Sequence, residues 1–122
     1  MRVETPVHPT ENPEKVIRAL RNLFPDLQIE STKDRIGGTT ANLDRLREMI
    51  RNQRIRDTAR RQLVAGRREN RTTVSVSKQA AFVGVVNFAI ASPLGDIAVE
   101  IESDDIEAAI DYIAESTVAP KA

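Results

Sequence analysis

RTTVSVSKQAAFVGVVNFAIASPLGDIAVEIE, residues 71–102, is the stretch on which the fold turns. Thr73, Ser75 and Ser77 alternate with Val74 and Val76, the period-2 pattern of a half-buried strand over Arg71–Lys78. Phe82–Ala91 is mostly apolar with small residues, as expected of a central strand, and Gly84 reads as a bulge inside it. In Ser92-Pro93-Leu94-Gly95, Pro favours a type I turn and Gly supplies the left-handed residue after it, so the segment closes a hairpin. Ile97, Val99 and Ile101 alternate with Ala98, Glu100 and Glu102, giving a two-faced strand. Three hairpin-linked strands imply an antiparallel sheet.

The flanks supply helices. Met1–Val7 reads as a short strand, placed at an edge by Pro6. Asn12-Pro13 starts a helix: Asn caps, and Pro at the first helical position loses no useful donor. Val16, Ile17, Leu20, Leu23 and Phe24 follow at helical spacing, and Pro25-Asp26 stops the run. Leu27, Ile29 and Ser31 give a second strand. Ile36–Thr40 reads as a loop leading into one long helix, Ala41–Ala65, with Gly66 as its C-cap. Ser103 caps a last helix with Asp104 and Asp105 in its first turn and Ile106, Ala109, Ile110 and Ile113 on its core face. The order is β-α-β-α-β-β-β-α. It describes a two-layer α+β fold, a mainly antiparallel sheet covered by helices. Residues 1–118 form a single domain, with 119–122 as a frayed tail.

Composition narrows the function. With 40% hydrophobic and 30% charged residues, the 122-residue chain fits a soluble globular domain able to bury a core without disulfides or metal. It contains no cysteine, which fits a reducing cytoplasm and leaves no thiol nucleophile or zinc knuckle. There is no secretory h-region and no apolar run long enough for a membrane span.

The net charge of zero conceals strong polarity. Lys33–Arg71 holds twelve Lys or Arg against five Asp or Glu, a local charge of +7, while Gly95–Ala122 holds eight acids against one Lys, a local charge of −7. Eleven of the twelve central cations are Arg, whose planar fork matches phosphate. At ~100° per residue, Arg47, Arg51, Arg54 and Arg61 fall within about 80° of one another on the long helix. Such a stripe runs about 21 Å and spans several phosphates. Arg67, Arg68 and Arg71 extend the charge past the helix end. Asp44, Glu48 and Asp57 can satisfy some of these arginines as ordinary surface pairs, Glu48 with Arg51 and Asp57 with Arg61. The excess has two uses: a polyanion, or the acidic C-terminal helix of this chain or of a second copy. The apolar face also changes side. Leu43, Leu46, Met49 and Ile50 lie opposite Ile55, Ala59 and Leu63, so either the helix kinks near Arg51–Arg54 or its second half docks a partner, a homodimer being one candidate. The kink is the preferred expectation.

Other constellations carry less. Gly37-Gly38-Thr39-Thr40 lacks the Lys-Ser/Thr of a phosphate loop. His8 is the sole histidine, with no second ligand nearby, and the acids around Glu100–Glu107 read as a strand end and helix cap, so no metal site is expected. No nucleophile–base pair can be assembled, no cofactor is implied and no small-molecule substrate is evident. The aromatics are Phe24, Phe82, Phe88 and Tyr112, too few for an exposed base-stacking platform. Lys78-Gln79 lies between two strands, a turn or a contact to phosphate or ribose.

Val76-Ser77-Lys78-Gln79-Ala80-Ala81-Phe82-Val83-Gly84 with Asn87-Phe88 resembles the signature of a small archaeal family of uncharacterised proteins associated with RNA binding. Gln53–Arg60 and the hairpin at Gly95-Asp96-Ile97 are also similar to it, and the likeness covers nearly the whole chain. Arg56 departs from it, standing where an apolar residue is expected. The resemblance implies no enzymatic activity and a fold similar to the large-subunit ribosomal protein that contacts 5S ribosomal RNA. Together, these readings lead to a cytoplasmic, non-catalytic protein that recognises RNA backbone and shape through Arg47, Arg51, Arg54, Arg61, Arg67, Arg68, Arg71 and Lys78. The alternative is an interaction or assembly module pairing its basic helix with an acidic protein surface.

Overall fold

A computed structural model describes residues 1–88 and 96–115. The strands are β1 (Arg2–Pro6), β2 (Gln28–Ser31), β3 (Arg35–Thr39), β4 (Arg67–Arg68), β5 (Arg71–Val76) and β6 (Ile97–Glu102). The helices are α1 (Pro13–Leu23), α2 (Asp44–Asn52), α3 (Arg56–Ala65), α4 (Lys78–Phe82) and α5 (Ile106–Ile113). The six strands form one sheet in the order β2-β3-β1-β6-β5-β4, every pair antiparallel. The two-layer α+β arrangement is the one the sequence describes.

Strand alternation explains the layers. Val3, Ile36, Val74, Val76, Ile97, Val99 and Ile101 turn to one face and are buried under Leu20, Leu23 and Phe24 of the α1 segment, Met49 and Ile50 of α2, Leu63 of α3 and Ile110 and Ile113 of α5. Each such side chain contributes about 1.5–3 kcal/mol relative to exposure. The other face is polar, with Arg2, Arg35, Thr39, Arg71, Thr73, Ser75 and Glu102 exposed. Asn12 caps α1 by accepting from the Glu14 amide at 2.9 Å, and Pro13 opens the helix as expected.

Local readings fail in four places. Ile36–Thr39 is strand, not loop: β3 pairs with both β1 and β2. A Cβ on Gly38 would overlap the Gln28 carbonyl oxygen, so glycine stands there for close backbone approach, not as a turn residue. The segment expected to begin a central strand at Phe82 instead completes a short helix. Ser77 caps it by accepting from the Ala80 amide at 3.2 Å, and Gly84, at φ 78°, turns the chain rather than bulging a strand. Among the described residues of this segment, strand-like pairing is limited to a bridge between Val76 and Phe88. The last helix is capped by Asp105, which accepts from the Ala108 amide at 3.1 Å, while Ser103 accepts from the Asp105 amide ahead of it. Finally, β1 is not an edge strand: it lies between β3 and β6 and pairs with both. The long helix divides near Arg51–Arg54, where the preferred reading put its kink. The expected hairpin at Ser92–Gly95, the segment 89–91 and the expected tail 119–122 lie outside the described residues.

Candidate nucleic-acid interface

The break between α2 and α3 organises the basic surface. Ile55 N donates to Ile50 O and Arg54 N to Arg51 O, both at 3.1 Å, the paired bonds of a Schellman helix ending. That ending requires a left-handed residue just past the cap, a position glycine normally takes. Here it is Arg54, at φ 59°. The break resolves the drifting apolar face: Leu46, Met49 and Ile50 are buried from α2, and Ala59 and Leu63 from α3. Gln53 fastens the break to the segment after α4. Its amide accepts from the Val86 N–H at 2.8 Å and donates to the Val86 carbonyl at 2.9 Å.

Much of the arginine surplus is spent inside the chain. Arg47 donates to the Tyr112 carbonyl at 2.8 Å and stacks with its guanidinium carbon 4.9 Å from the Tyr112 ring centre. Arg56 meets Glu115 at 2.7 Å, Arg60 meets Asp111, and Arg67 meets Glu107 at 2.9 Å. The basic α2–α3 pair thus carries the acidic α5 along its side. Tyr112 also donates to Asp44; that hydrogen bond, more than desolvation, raises the Tyr112 phenol above its ordinary value. Arg71 lies on the open sheet face beside Glu100 and Glu102, at 3.7 and 3.9 Å.

Of the eight residues singled out in the sequence, the structure brings some together and removes others. Arg51 and Arg54, with Arg56 and Asp57, line a cleft of about 450 Å³ at the break. Arg51 touches Glu115 at 3.7 Å. Arg54, Arg61 and Arg68 are exposed and make no ion pair with any described residue. Arg47, Arg67 and Arg71 have the internal partners just named. Lys78 leaves the candidate surface. It is 8% exposed, and its ammonium donates to the Pro6 carbonyl at 2.7 Å and to the two Glu11 oxygens at 3.0 and 3.2 Å. Burial pushes the Glu11 carboxyl upward, but the His8 amide and the Lys78 ammonium outweigh it and hold its pKa below the ordinary 4.5. Arg56 was not among the eight. A helical wheel continued unbroken from Leu43 puts it across from the stripe, and only the break turns it into the cleft.

Among the described residues, no group of three or more His, Asp or Glu side chains could hold a metal ion, and no helix is long and apolar enough to cross a membrane.

Comparison with known proteins gives the family of the chain. Residues 1–103 match the family described as "RNA binding". A UPF0201 protein of Methanothermobacter thermautotrophicus is 45% identical over 99% of this chain and 95% of its own length. A UPF0200/UPF0201 protein of Archaeoglobus fulgidus is 39% identical over 94% of this chain, which spans only 37% of that longer protein. The crystal structure of a UPF0201 protein from Methanococcus jannaschii is similar at a TM-score of 0.87 and 37% identity, covering 97% of this chain and 96% of that one. The chain belongs to the archaeal UPF0201 family, whose family description is RNA binding.

Proposed function

We propose that this protein is a non-catalytic RNA-binding module that grips the backbone of structured RNA at the α2–α3 break and along α3 to β4. The observation that carries the reading is the residue left over after internal pairing: Arg54, Arg61 and Arg68 remain exposed without ion pairs to described residues, and Arg54 beside Arg51 and Arg56 lines an open cleft. Charge-assisted contacts from guanidinium to phosphate are bidentate and strong. Arg47, Arg67 and Arg71 serve this surface indirectly, by holding α5 and the sheet edge. The resemblance to the ribosomal protein that contacts 5S ribosomal RNA belongs to the same proposal and names the first ligand to try.

Filter binding to a 5S ribosomal RNA fragment and to an unrelated RNA hairpin tests it. Replacing Arg54, Arg61 and Arg68 together by Ala weakens binding at least about tenfold. Arg35→Ala, on the open sheet face, changes it little. Unchanged affinity in the triple variant overturns the reading. The assembly reading finds its acidic surface within the chain, since α5 already occupies Arg56, Arg60 and Arg67. Light scattering that finds a dimer dissociating in salt, with no RNA affinity, would revive it.

A further inference from the structure

The string Lys78–Phe82, which carries much of the family likeness, has no part in the arginine surface. With the first turns of α1 it lines a separate cleft of about 370 Å³, within the size range of small-ligand sites. Val16 and Ala19 are buried at its floor and Phe82 is half-buried at its side. The Thr10 hydroxyl and the exposed Gln79 amide stand at its rim. Lys15 and Arg18, three residues apart on α1, hold their charged ends 6.0 and 5.7 Å from the Phe82 ring centre. The Lys78–Glu11 pair beneath is closed on itself and adds no net charge.

This combination selects its occupant. A bare phosphate fits poorly against Val16, Ala19 and Phe82. A wholly apolar ligand leaves the amide, the hydroxyl and two cations unused. A nucleobase has flat apolar faces and a hydrogen-bonding edge, and its phosphates lie one sugar away, within reach of Lys15 on the cleft lining and of Arg18 beside Phe82. The segment after α4 links the cleft to the arginine site. Gln53, adjacent to Arg54, is bonded to Val86, and Val83 and Val85 donate to the Ala80 carbonyl at 3.1 and 2.9 Å. One short turn therefore separates the two stations. Its tip offers apolar surface between them, Val83 being 70% and Val85 41% exposed.

We propose that the α1–α4 cleft holds one unpaired base of an RNA whose backbone crosses Arg54. The inference rests on the RNA-binding reading and adds base capture to it. Lys15 and Arg18 meet the flanking phosphates, Gln79 reads the base edge, and Phe82 covers a base face.

The test uses the full chain and an RNA hairpin with a single-stranded loop, made as a series with one abasic site at each loop position. Binding of each is compared between wild type, Gln79→Ala and Lys15→Ala, with thermal melts to verify folding; both side chains are exposed. At one loop position, loss of the base weakens wild-type binding about tenfold. The same loss costs Gln79→Ala much less, because the cleft has already lost its edge contact. If the hairpin binds with steep salt dependence but no abasic site costs more than about twofold, the cleft inference falls and the RNA reading stands. If no RNA binds, both fall. Saturable binding of a nucleoside monophosphate that the hairpin does not displace also overturns the inference, since the cleft then serves a free nucleotide.

Discussion

Arg54 concentrates the tension between folding and function in one residue. A left-handed non-glycine residue costs about 1 kcal/mol or more, and such strain persists where a site uses the side chain. Arg54→Gly should therefore raise stability by about 1 kcal/mol in urea unfolding while lowering RNA affinity; Arg54→Ala should lower affinity without the gain. If Arg54→Gly destabilises the protein, the helix-ending geometry is misassigned. Lys78 and Glu11 form the opposite case, a buried ammonium and a half-buried carboxylate paired for structure. Lys78→Met leaves the half-buried Glu11 carboxylate and the Pro6 carbonyl without their ammonium donor and should cost about 1–3 kcal/mol, read as a lower urea midpoint at unchanged m-value. The pH dependence follows from the depressed Glu11 pKa. The folded state binds this proton less readily than the unfolded one, so the stabilisation is full above the unfolded carboxylate pKa. It is lost as pH falls through the lower folded value. Glu11→Gln should flatten the acid limb of the stability curve below about pH 4.5; an unaltered acid limb would show that Glu11 does not carry it.

Among the elements, α5 decides how much of the basic charge faces outward. Its acids and the adjoining Glu115 engage Arg51, Arg56, Arg60 and Arg67 through side chains that are a third or more exposed, pairs worth about 0–1 kcal/mol each. Glu107→Gln, Asp111→Asn and Glu115→Gln in one chain should leave the melting temperature nearly unchanged and raise RNA affinity several-fold at low salt. A drop in affinity would mean that the pairs orient the arginines rather than mask them. The elements also mark what a sequence can disclose. The changing apolar side of Leu43–Leu63 exposed the α2–α3 break, because burial of two opposed faces is incompatible with one straight helix. The α+β layering was legible for the same reason, since strand alternation needs no partner to be seen. Strand β3 was not, because Gly37-Gly38 carries no strand propensity and its requirement lies in the backbone of β1 and β2. Helix α4 was not, because a short apolar run fits strand and helix alike, and the cap at Ser77 was the one signal favouring helix. The candidate site was half legible: charge marked the segment, but the internal acids that spend Arg47 and Arg67, and the turn that recruits Arg56, are properties of tertiary packing.

At the scale of the whole molecule, opposite charges that cancel along the chain are laid side by side, and within the basic segment Arg54, Arg61 and Arg68 stay exposed without ion pairs to described residues. The central claim is that these few, not the whole basic segment, carry the RNA. The slope of log affinity against log salt concentration counts the phosphates engaged, at about 0.7 to 0.9 per contact. Measured by filter binding from 50 to 300 mM KCl, the account predicts that the Arg54→Ala, Arg61→Ala, Arg68→Ala variant has a slope shallower than wild type by about 2 to 3. A wild-type slope near zero, or equal slopes for the two proteins, would contradict it.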